Sequence, residues 1–174
     1  GLRLREDLPL ARLALAEAYE GTQHYEEANL IYDRIDKRSP LWPNAAVRRA
    51  FNLNSLEKLD EAKSTLDELL GAYPKDLNAL EAQGNILRAH KRYGEAVDYY
   101  SRAIELLSPV QKNDWKYFYS RGVCYERLKD WPKAEADLEK ARSLDSDQPL
   151  VLNYLGYSWV DQNIHLATAM RLIR

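Results

Sequence analysis

Residues 118–141 read FYSRGVCYERLKDWPKAEADLEKA, and this stretch decides the fold. Its apolar and small residues recur every three or four positions, which places them on one face of an α-helix. Two such faces lie on either side of Lys129-Asp130, and they consist of Phe118, Gly122 and Tyr125, followed by Ala134, Leu138 and Ala141. Pro132 falls in the first turn of the second helix, where its missing N–H does no harm. The stretch therefore predicts two short amphipathic helices joined by a tight turn.

The same helix pair recurs along the whole chain. The small residues of the first helix are separated by 34, 34, 38 and 34 positions, and they are Ala16, Ala50, Gly84, Gly122 and Gly156. The alanines of the second helix are separated by 34, 34 and 38 positions, and they are Ala28, Ala62, Ala96 and Ala134. Two sets of markers in one register predict an array of repeated helix pairs.

This skeleton resembles the tetratricopeptide repeat (TPR), and the resemblance covers essentially the whole chain. It implies an all-α fold, a TPR solenoid or α-α superhelix of antiparallel helix pairs with about four and a half repeats. We expect a single array over residues 1–174, and its units are 9–42, 43–76, 77–114 with a four-residue insertion, 115–148 and an incomplete 149–174. Neither terminal unit shows the polar cap that ends such arrays, so we expect a fragment of a longer protein.

Composition agrees with a helical globular chain. Leu (27) and Ala (20) outnumber Val, Ile and Thr, which total 15, and the first two are strong helix formers. No apolar run approaches the ~20 residues that a membrane-spanning helix needs, so no membrane insertion is expected in this segment. The net charge is −2 and no basic run is present, which disfavours nucleic acid as a partner. Aromatic stacking on RNA by Trp115, Tyr117, Phe118 and Tyr119 is the alternative that these values weigh against.

No pattern of catalytic or metal-ligating residues is found. His24, His90 and His165 fall in turns or at helix ends of different units, without metal-ligand spacing. The single cysteine, Cys124, precedes Tyr125 on a helix, and we expect a buried, inert thiol. The sequence therefore predicts no enzyme activity, no cofactor and no metal.

Candidate binding residues follow from the TPR resemblance, which implies that the first helices line a concave groove. Asparagines can donate to and accept from a peptide backbone, arginines suit carboxylates, and aromatic rings serve as apolar platforms. The candidates are Phe51, Asn54, Asn78, Glu81, Asn85, Arg88, Lys116, Tyr119, Arg127, Asn153 and Tyr157. At each position a solvated residue without a ligand is an equally open interpretation.

The predicted function is a non-catalytic scaffold that binds an extended peptide or a helix of a partner protein in this groove. The alternative is a self-assembly module that forms a homo-oligomer through its uncapped ends. Chaperone-binding TPR domains hold a C-terminal carboxylate with a Lys/Asn/Asn/Lys/Arg set. No register completes that set, because its first two places hold Leu13 and Glu17, Val47 and Phe51, or Glu81 and Asn85.

Two departures from regularity carry further expectations. The insertion falls in residues 108–114, and we expect an extra helical turn or a longer loop, with a contact loop beside Trp115 as the functional alternative. In the fifth unit the turn at residues 161–165 is lengthened by one residue, and the segment 153–162 resembles a repeat of large TPR proteins from Gram-negative bacteria. Some of these are envelope proteins, which favours the periplasm or cell envelope over the bacterial cytoplasm.

Overall fold

The chain folds into α-helices joined by short turns. The computed structural model describes residues 2–162 and 166–173, with the side chains of residues 8–162 and 167–173. In these ranges the chain forms ten α-helices and one 3-10 turn, and no strand occurs. The elements are α1 (Leu2–Gly21), α2 (Tyr25–Tyr32), α3 (Trp42–Ser55), α4 (Leu59–Ala72), α5 (Leu77–Ala89), α6 (Tyr93–Glu105), the 3-10 turn (Lys112–Asp114), α7 (Trp115–Arg127), α8 (Trp131–Leu144), α9 (Pro149–Asp161) and α10 (Leu166–Leu172). The predicted all-α class is confirmed.

The helices belong to two compact units, unit 1 over residues 1–86 and unit 2 over residues 87–174. In unit 1, α1 packs on α2, α2 on α3, and α3 on α4. In unit 2, α6 packs on α7, α7 on α8, α8 on α9, and α9 on α10. Helix α5 contributes its residues up to Ile86 to unit 1 and those from Leu87 to unit 2. We call the odd-numbered helices first helices and the even-numbered helices second helices.

Small residues lie where the helices of a pair approach each other. The marker alanines of both helices are fully buried, and they are Ala16, Ala28, Ala50, Ala62, Ala96 and Ala134. A Cβ added at Gly122 on α7 would lie 3.0 Å from Leu138 Cγ on α8. That distance is shorter than ordinary van der Waals contact, so a side chain at position 122 would require Leu138 to shift by a few tenths of an ångström.

The turns inside the first four helix pairs have the same backbone geometry. Gln23, Glu57, Lys91 and Lys129 adopt the left-handed conformation with φ between 61° and 62°. The next residue donates its N–H to a carbonyl of the preceding helix, as Arg92 N does to Leu87 O at 2.9 Å. This geometry closes a helix C-terminus in the Schellman manner, although glycine usually occupies the left-handed position. These four turns are spaced by 34, 34 and 38 residues, as the markers are.

In three of the repeats, the polar side chain immediately before the small residue of the first helix bonds to a second helix or to the turn that follows one. Gln83 Nε2 donates to Asp67 Oδ1 at 2.8 Å and to the carbonyl of Lys63 at 3.3 Å. Arg121 binds both carboxylate oxygens of Asp137 at 2.7 and 2.8 Å. The third residue, Arg49, lies 2.6 Å from Asp33 Oδ1 through its Nε and donates to Thr65 Oγ1. These contacts hold each of the three first helices against a neighbouring second helix.

Two segments of unit 1 differ from the regular pattern. Helix α1 begins at Leu2, whereas the first repeat was expected to begin at residue 9. The helix contains Pro9, whose ring fixes a helical φ but removes one backbone N–H donor. Helix α2 ends at Tyr32 after eight residues, and the Asp36 carboxylate then accepts the N–H of Arg38 at 2.8 Å in a turn.

The insertion in unit 2 forms an extra helical turn before α7. Gln111 N donates to Asp114 Oδ2 at 2.8 Å, and residues Lys112–Asp114 form the 3-10 turn. The expectation of an extra helical turn is therefore confirmed. The lengthened turn predicted at residues 161–165 lies in part outside the described residues, and so does His165.

Candidate protein-binding faces

The candidate residues of unit 1 lie on first helices α3 and α5, and we call them the unit 1 face. Phe51 directly follows the buried Ala50 and is 40% exposed, while Asn54 lies one turn further along α3 and is half-buried. On α5, Asn78 is exposed, whereas Glu81 and Asn85 are half-buried. An exposed phenylalanine next to polar side chains is an arrangement that suits contact with a partner protein.

A polar network that the sequence did not reveal joins the two first helices α1 and α3. Arg48 Nη2 donates to Glu20 Oε2 at 2.7 Å, and Arg48 Nε donates to Tyr32 Oη at 2.9 Å. Asn52 Nδ2 donates to Glu20 Oε1 at 3.1 Å and to Asn29 Oδ1 at 3.0 Å. The network fixes α3 against α1 and α2.

The charges in this network are firmly paired. Burial by itself would raise the pKa of Glu20, but hydrogen bonds from Arg48, Tyr32 and Asn52 outweigh it and hold that pKa below its usual value. The hydrogen bond to Glu20 raises the pKa of Arg48, and burial together with Glu20 raises the pKa of Tyr32. Glu20 is therefore ionised at neutral pH, and both of its carboxylate oxygens accept hydrogen bonds that hold α1 against α3.

The candidate residues of unit 2 lie on α5, α7 and α9, and we call them the unit 2 face. Tyr119 is half-buried, with its ring centre 5.9 Å from that of Trp115 and 6.1 Å from that of Tyr154. Burial raises the pKa of Tyr119. Tyr119 is thus part of an aromatic cluster at the edge of the core, whereas Tyr157 is 53% exposed. Asn153 is half-buried on the same helix as Tyr157.

The three basic candidates of unit 2 differ in their surroundings. Arg88 is half-buried, and its Nη1 donates to Ser120 Oγ at 3.2 Å. Arg127 keeps 58% of its side chain exposed, with Nε 3.6 Å from Glu126 Oε2. Lys116 is exposed, and its Nζ lies 5.2 Å from the ring centre of Tyr117. Of the two arginines, Arg127 is the more accessible to an incoming carboxylate.

Contacts between successive first helices use one pair of repeat positions. The side chain four positions after the small residue of one first helix contacts the side chain two positions before the small residue of the next first helix. The pairs are Glu20 with Arg48, Arg88 with Ser120, and Glu126 with Tyr154, whose Oη donates to Glu126 Oε2 at 2.9 Å. Burial and this hydrogen bond raise the pKa of Tyr154. A polar residue at both positions is the sequence signal that could have predicted these contacts.

Other expectations from the sequence can be placed on the structure. Cys124 is fully buried, as predicted, and burial raises its thiol pKa to about 11. Tyr117 and Phe118 are buried, so their rings are unavailable for stacking on a base. Within residues 2–162 and 166–173 no cluster of three or more His, Cys, Asp or Glu side chains could hold a metal ion. Of the helices in the same ranges, none has the length and apolarity required to cross a bilayer.

Comparison with known proteins identifies the repeats. Residues 55–109 and residues 115–148 each match a family model described as tetratricopeptide repeat. The chain belongs to the tetratricopeptide-repeat family. Hsp70-Hsp90 organizing protein 1 of Glycine max is 30% identical to this TPR chain over 135 residues, which are 76% of the chain and 21% of the relative. The chain thus spans about a fifth of that relative's length.

Solved structures share the TPR fold at low sequence identity. MamA 41-end from Desulfovibrio magneticus RS-1 has a TM-score of 0.79 and 19% identity, with 95% of each chain covered. The pilF protein of Pseudomonas aeruginosa has a TM-score of 0.80 and 18% identity, covering 97% of this chain and 74% of that one. The predicted TPR solenoid class is confirmed.

Proposed function

We propose that this TPR array is a protein-interaction scaffold whose first-helix faces bind an extended peptide or a helix of a partner protein. The observation that carries the proposal is the exposure of Phe51 and Tyr157. Each follows the buried small residue of its first helix, at positions 50 and 156, and so occupies the same place in its repeat. Aromatic residues are enriched at interfaces between proteins, and exposure of two of them at one repeat position favours contact with a ligand.

The polar candidates would give the bound segment its register. Asn54, Asn78 and Asn85 in unit 1 can each donate to and accept from a peptide backbone. In unit 2, Asn153 has the same capacity, and Arg127 can pair with a carboxylate. The Glu20–Arg48 brace keeps α1 and α3 in place before binding, which lowers the ordering cost of association.

The name of one relative agrees with a scaffold. Hsp70-Hsp90 organizing protein 1 is named for the organisation of two other proteins. The proposed scaffold is non-catalytic, and its ligand is a protein or peptide, with neither cofactor nor nucleic acid. The Lys/Asn/Asn/Lys/Arg set of chaperone-binding TPR domains is incomplete in this chain, so the proposed partner is not a chaperone C-terminus.

The test uses a peptide selected against the full chain from a random display library. Phe51→Ala should weaken a peptide bound on the unit 1 face several-fold in fluorescence anisotropy, and Tyr157→Ala should do the same for a peptide bound on the unit 2 face, because each removes an exposed ring. Tyr73→Ala is the matched control, since Tyr73 is 43% exposed but lies at the end of second helix α4. If selected peptides bind both Phe51→Ala and Tyr157→Ala with unchanged affinity, the proposal is wrong.

A second candidate function is self-association through the terminal helices. Large apolar side chains are exposed on α1, and they are Leu8, Leu10 and Leu15. Leu150 on α9 and Met170 on α10 are exposed too, at 56% and 70%. Sedimentation velocity over a range of concentrations should then show a dimer or larger species. A monomer at every concentration would exclude this function.

A further inference from the structure

An open cleft lies on the second-helix side of unit 1, apart from the unit 1 face. It has a volume of about 320 Å³ and is bounded by α2, by the end of α3 and by the start of α4. A second cavity of about 320 Å³ continues from Arg49 along α4, where Asp60 and Glu68 line it. Neither Phe51 nor Asn54 lines either cavity.

One wall of the cleft contains a polar group without a partner. Asn29 lines the cleft and is only 7% exposed. Its Oδ1 accepts from Asn52, but among the described residues its Nδ2 has no hydrogen-bond acceptor. Buried polar groups in proteins are nearly always bonded, so an unused buried donor points to an acceptor from outside the chain. A backbone carbonyl of a peptide is such an acceptor.

Two carboxylates on the rim of the cleft are available to bind a cation. Glu26 and Glu61 are exposed and line the cleft, and no described cation forms an ion pair with either of them. The third carboxylate, Asp33, is paired with Arg49, while Lys58 is the remaining cation of the lining. Carboxylates that lack a partner attract a cation from a ligand.

The floor of the cleft is apolar. Leu53 is buried, Leu56 is half-buried, and Leu30 is 61% exposed beside them. Arginine and lysine lay their aliphatic stems on apolar surfaces while the charged end reaches polar groups. The apolar floor suits the stem of a basic residue, the carboxylates on the rim suit its charge, and the buried donor suits a neighbouring peptide carbonyl.

We propose that this cleft binds an arginine or lysine residue of a partner segment. The cation would pair with Glu26 and Glu61, its stem would lie on the leucines, and a neighbouring carbonyl would accept from Asn29 Nδ2. The site does not depend on the proposed function, because it uses α2 and the α3–α4 turn instead of the first-helix faces.

The experiment titrates the isotope-labelled full chain with the peptide acetyl-Ala-Leu-Arg-Leu-Ala-amide and follows it by heteronuclear NMR. The side-chain amide signal of Asn29 should shift saturably, together with backbone signals of Glu26, Leu30 and Glu61. The same peptide with citrulline, a neutral isostere of arginine, should bind at least about tenfold more weakly. Phe51→Ala should leave this affinity unchanged, which separates the cleft from the unit 1 face.

Conservative variants test the rim without threatening the fold. Glu26→Gln combined with Glu61→Gln should weaken the arginine peptide about tenfold. Glu27→Gln is the matched control, because Glu27 is exposed next to Glu26 but does not line the cleft. Equal binding of the citrulline peptide, an unmoved Asn29 amide signal or an effect of Glu27→Gln as large as that of the double variant would each overturn the proposal.

Discussion

The buried ion pair between Arg121 and Asp137 should contribute strongly to the stability of unit 2. Arg121 on α7 donates from Nε and Nη2 to the two carboxylate oxygens of Asp137 on α8. Only 19% of the Arg121 side chain and 8% of the Asp137 side chain are exposed. Asp137→Ala therefore leaves a guanidinium group that water reaches poorly.

The expected loss of stability depends on the contacts that Arg121 keeps in Asp137→Ala. Removing one partner of a buried ion pair costs about 3–5 kcal/mol. Arg121 keeps a hydrogen bond to Ser101 Oγ at 3.2 Å and lies 5.8 Å from the ring centre of Tyr125. We therefore expect the lower end, a loss of about 3 kcal/mol in the free energy of unfolding. This lowers the folding equilibrium constant roughly a hundredfold.

Urea unfolding at pH 7, followed by circular dichroism, measures this loss. Glu139→Ala is the control on the same helix, because its carboxylate lies 3.9 Å from Arg142 with both side chains well exposed. It should cost no more than about 0.5 kcal/mol. Combining Arg121→Leu with Asp137→Leu should recover most of the loss, since an apolar pair can replace a buried ion pair. A cost for Asp137→Ala no larger than for Glu139→Ala would refute the reasoning.

Three further predictions concern packing, backbone conformation and pH. Gly122→Leu should lower stability towards urea by about 1–3 kcal/mol, because even a Cβ there lies 3.0 Å from Leu138 Cγ, whereas Gly94→Ala meets nothing within 4 Å and should not. Lys91→Val should lower the Tm and Lys91→Gly should not, because φ at this residue is 62°, and equal Tm values would contradict this. Because the pKa of Glu20 is held below 4.5, its stabilising contribution is present above that pH and is lost as the pH falls through its pKa in the folded state. The stability difference between the native chain and Glu20→Gln, measured in urea at pH 7 and pH 3, should therefore shrink at the lower pH, and a constant difference would oppose this.

The period of the sequence predicts most of the fold because packing in a helix pair depends on residue size. Ala50, Ala62, Ala96 and Ala134 were identified by spacing alone, and all four are fully buried. The early end of α2 was not predicted, because it depends on backbone hydrogen bonds three residues apart, from Arg34 N to Ile31 O and from Ile35 N to Tyr32 O, which replace the helical pattern after Tyr32. Spacing identifies where helices pack but not where a local hydrogen bond ends one.

The binding faces were harder to predict than the helices. Tyr119 and Tyr157 were both expected to face the groove, yet Tyr119 packs between Trp115 and Tyr154 while Tyr157 is exposed. Repeat position gives the side of a helix, but the size of the neighbouring side chains decides whether a ring is covered. The contacts made by Arg49, Gln83 and Arg121 were not predicted either, although a polar residue directly before the small residue marks them in three consecutive repeats.

The location of a bound peptide on the folded chain tests the proposed scaffold most directly. Heteronuclear NMR of the full chain with a display-selected peptide reports which backbone amides change on binding. We predict shifts on the first helices, centred on Phe51 of α3 or Tyr157 of α9, with α4 and α8 unaffected. Shifts confined to second helices, with the amides of Phe51 and Tyr157 unmoved, would contradict the account.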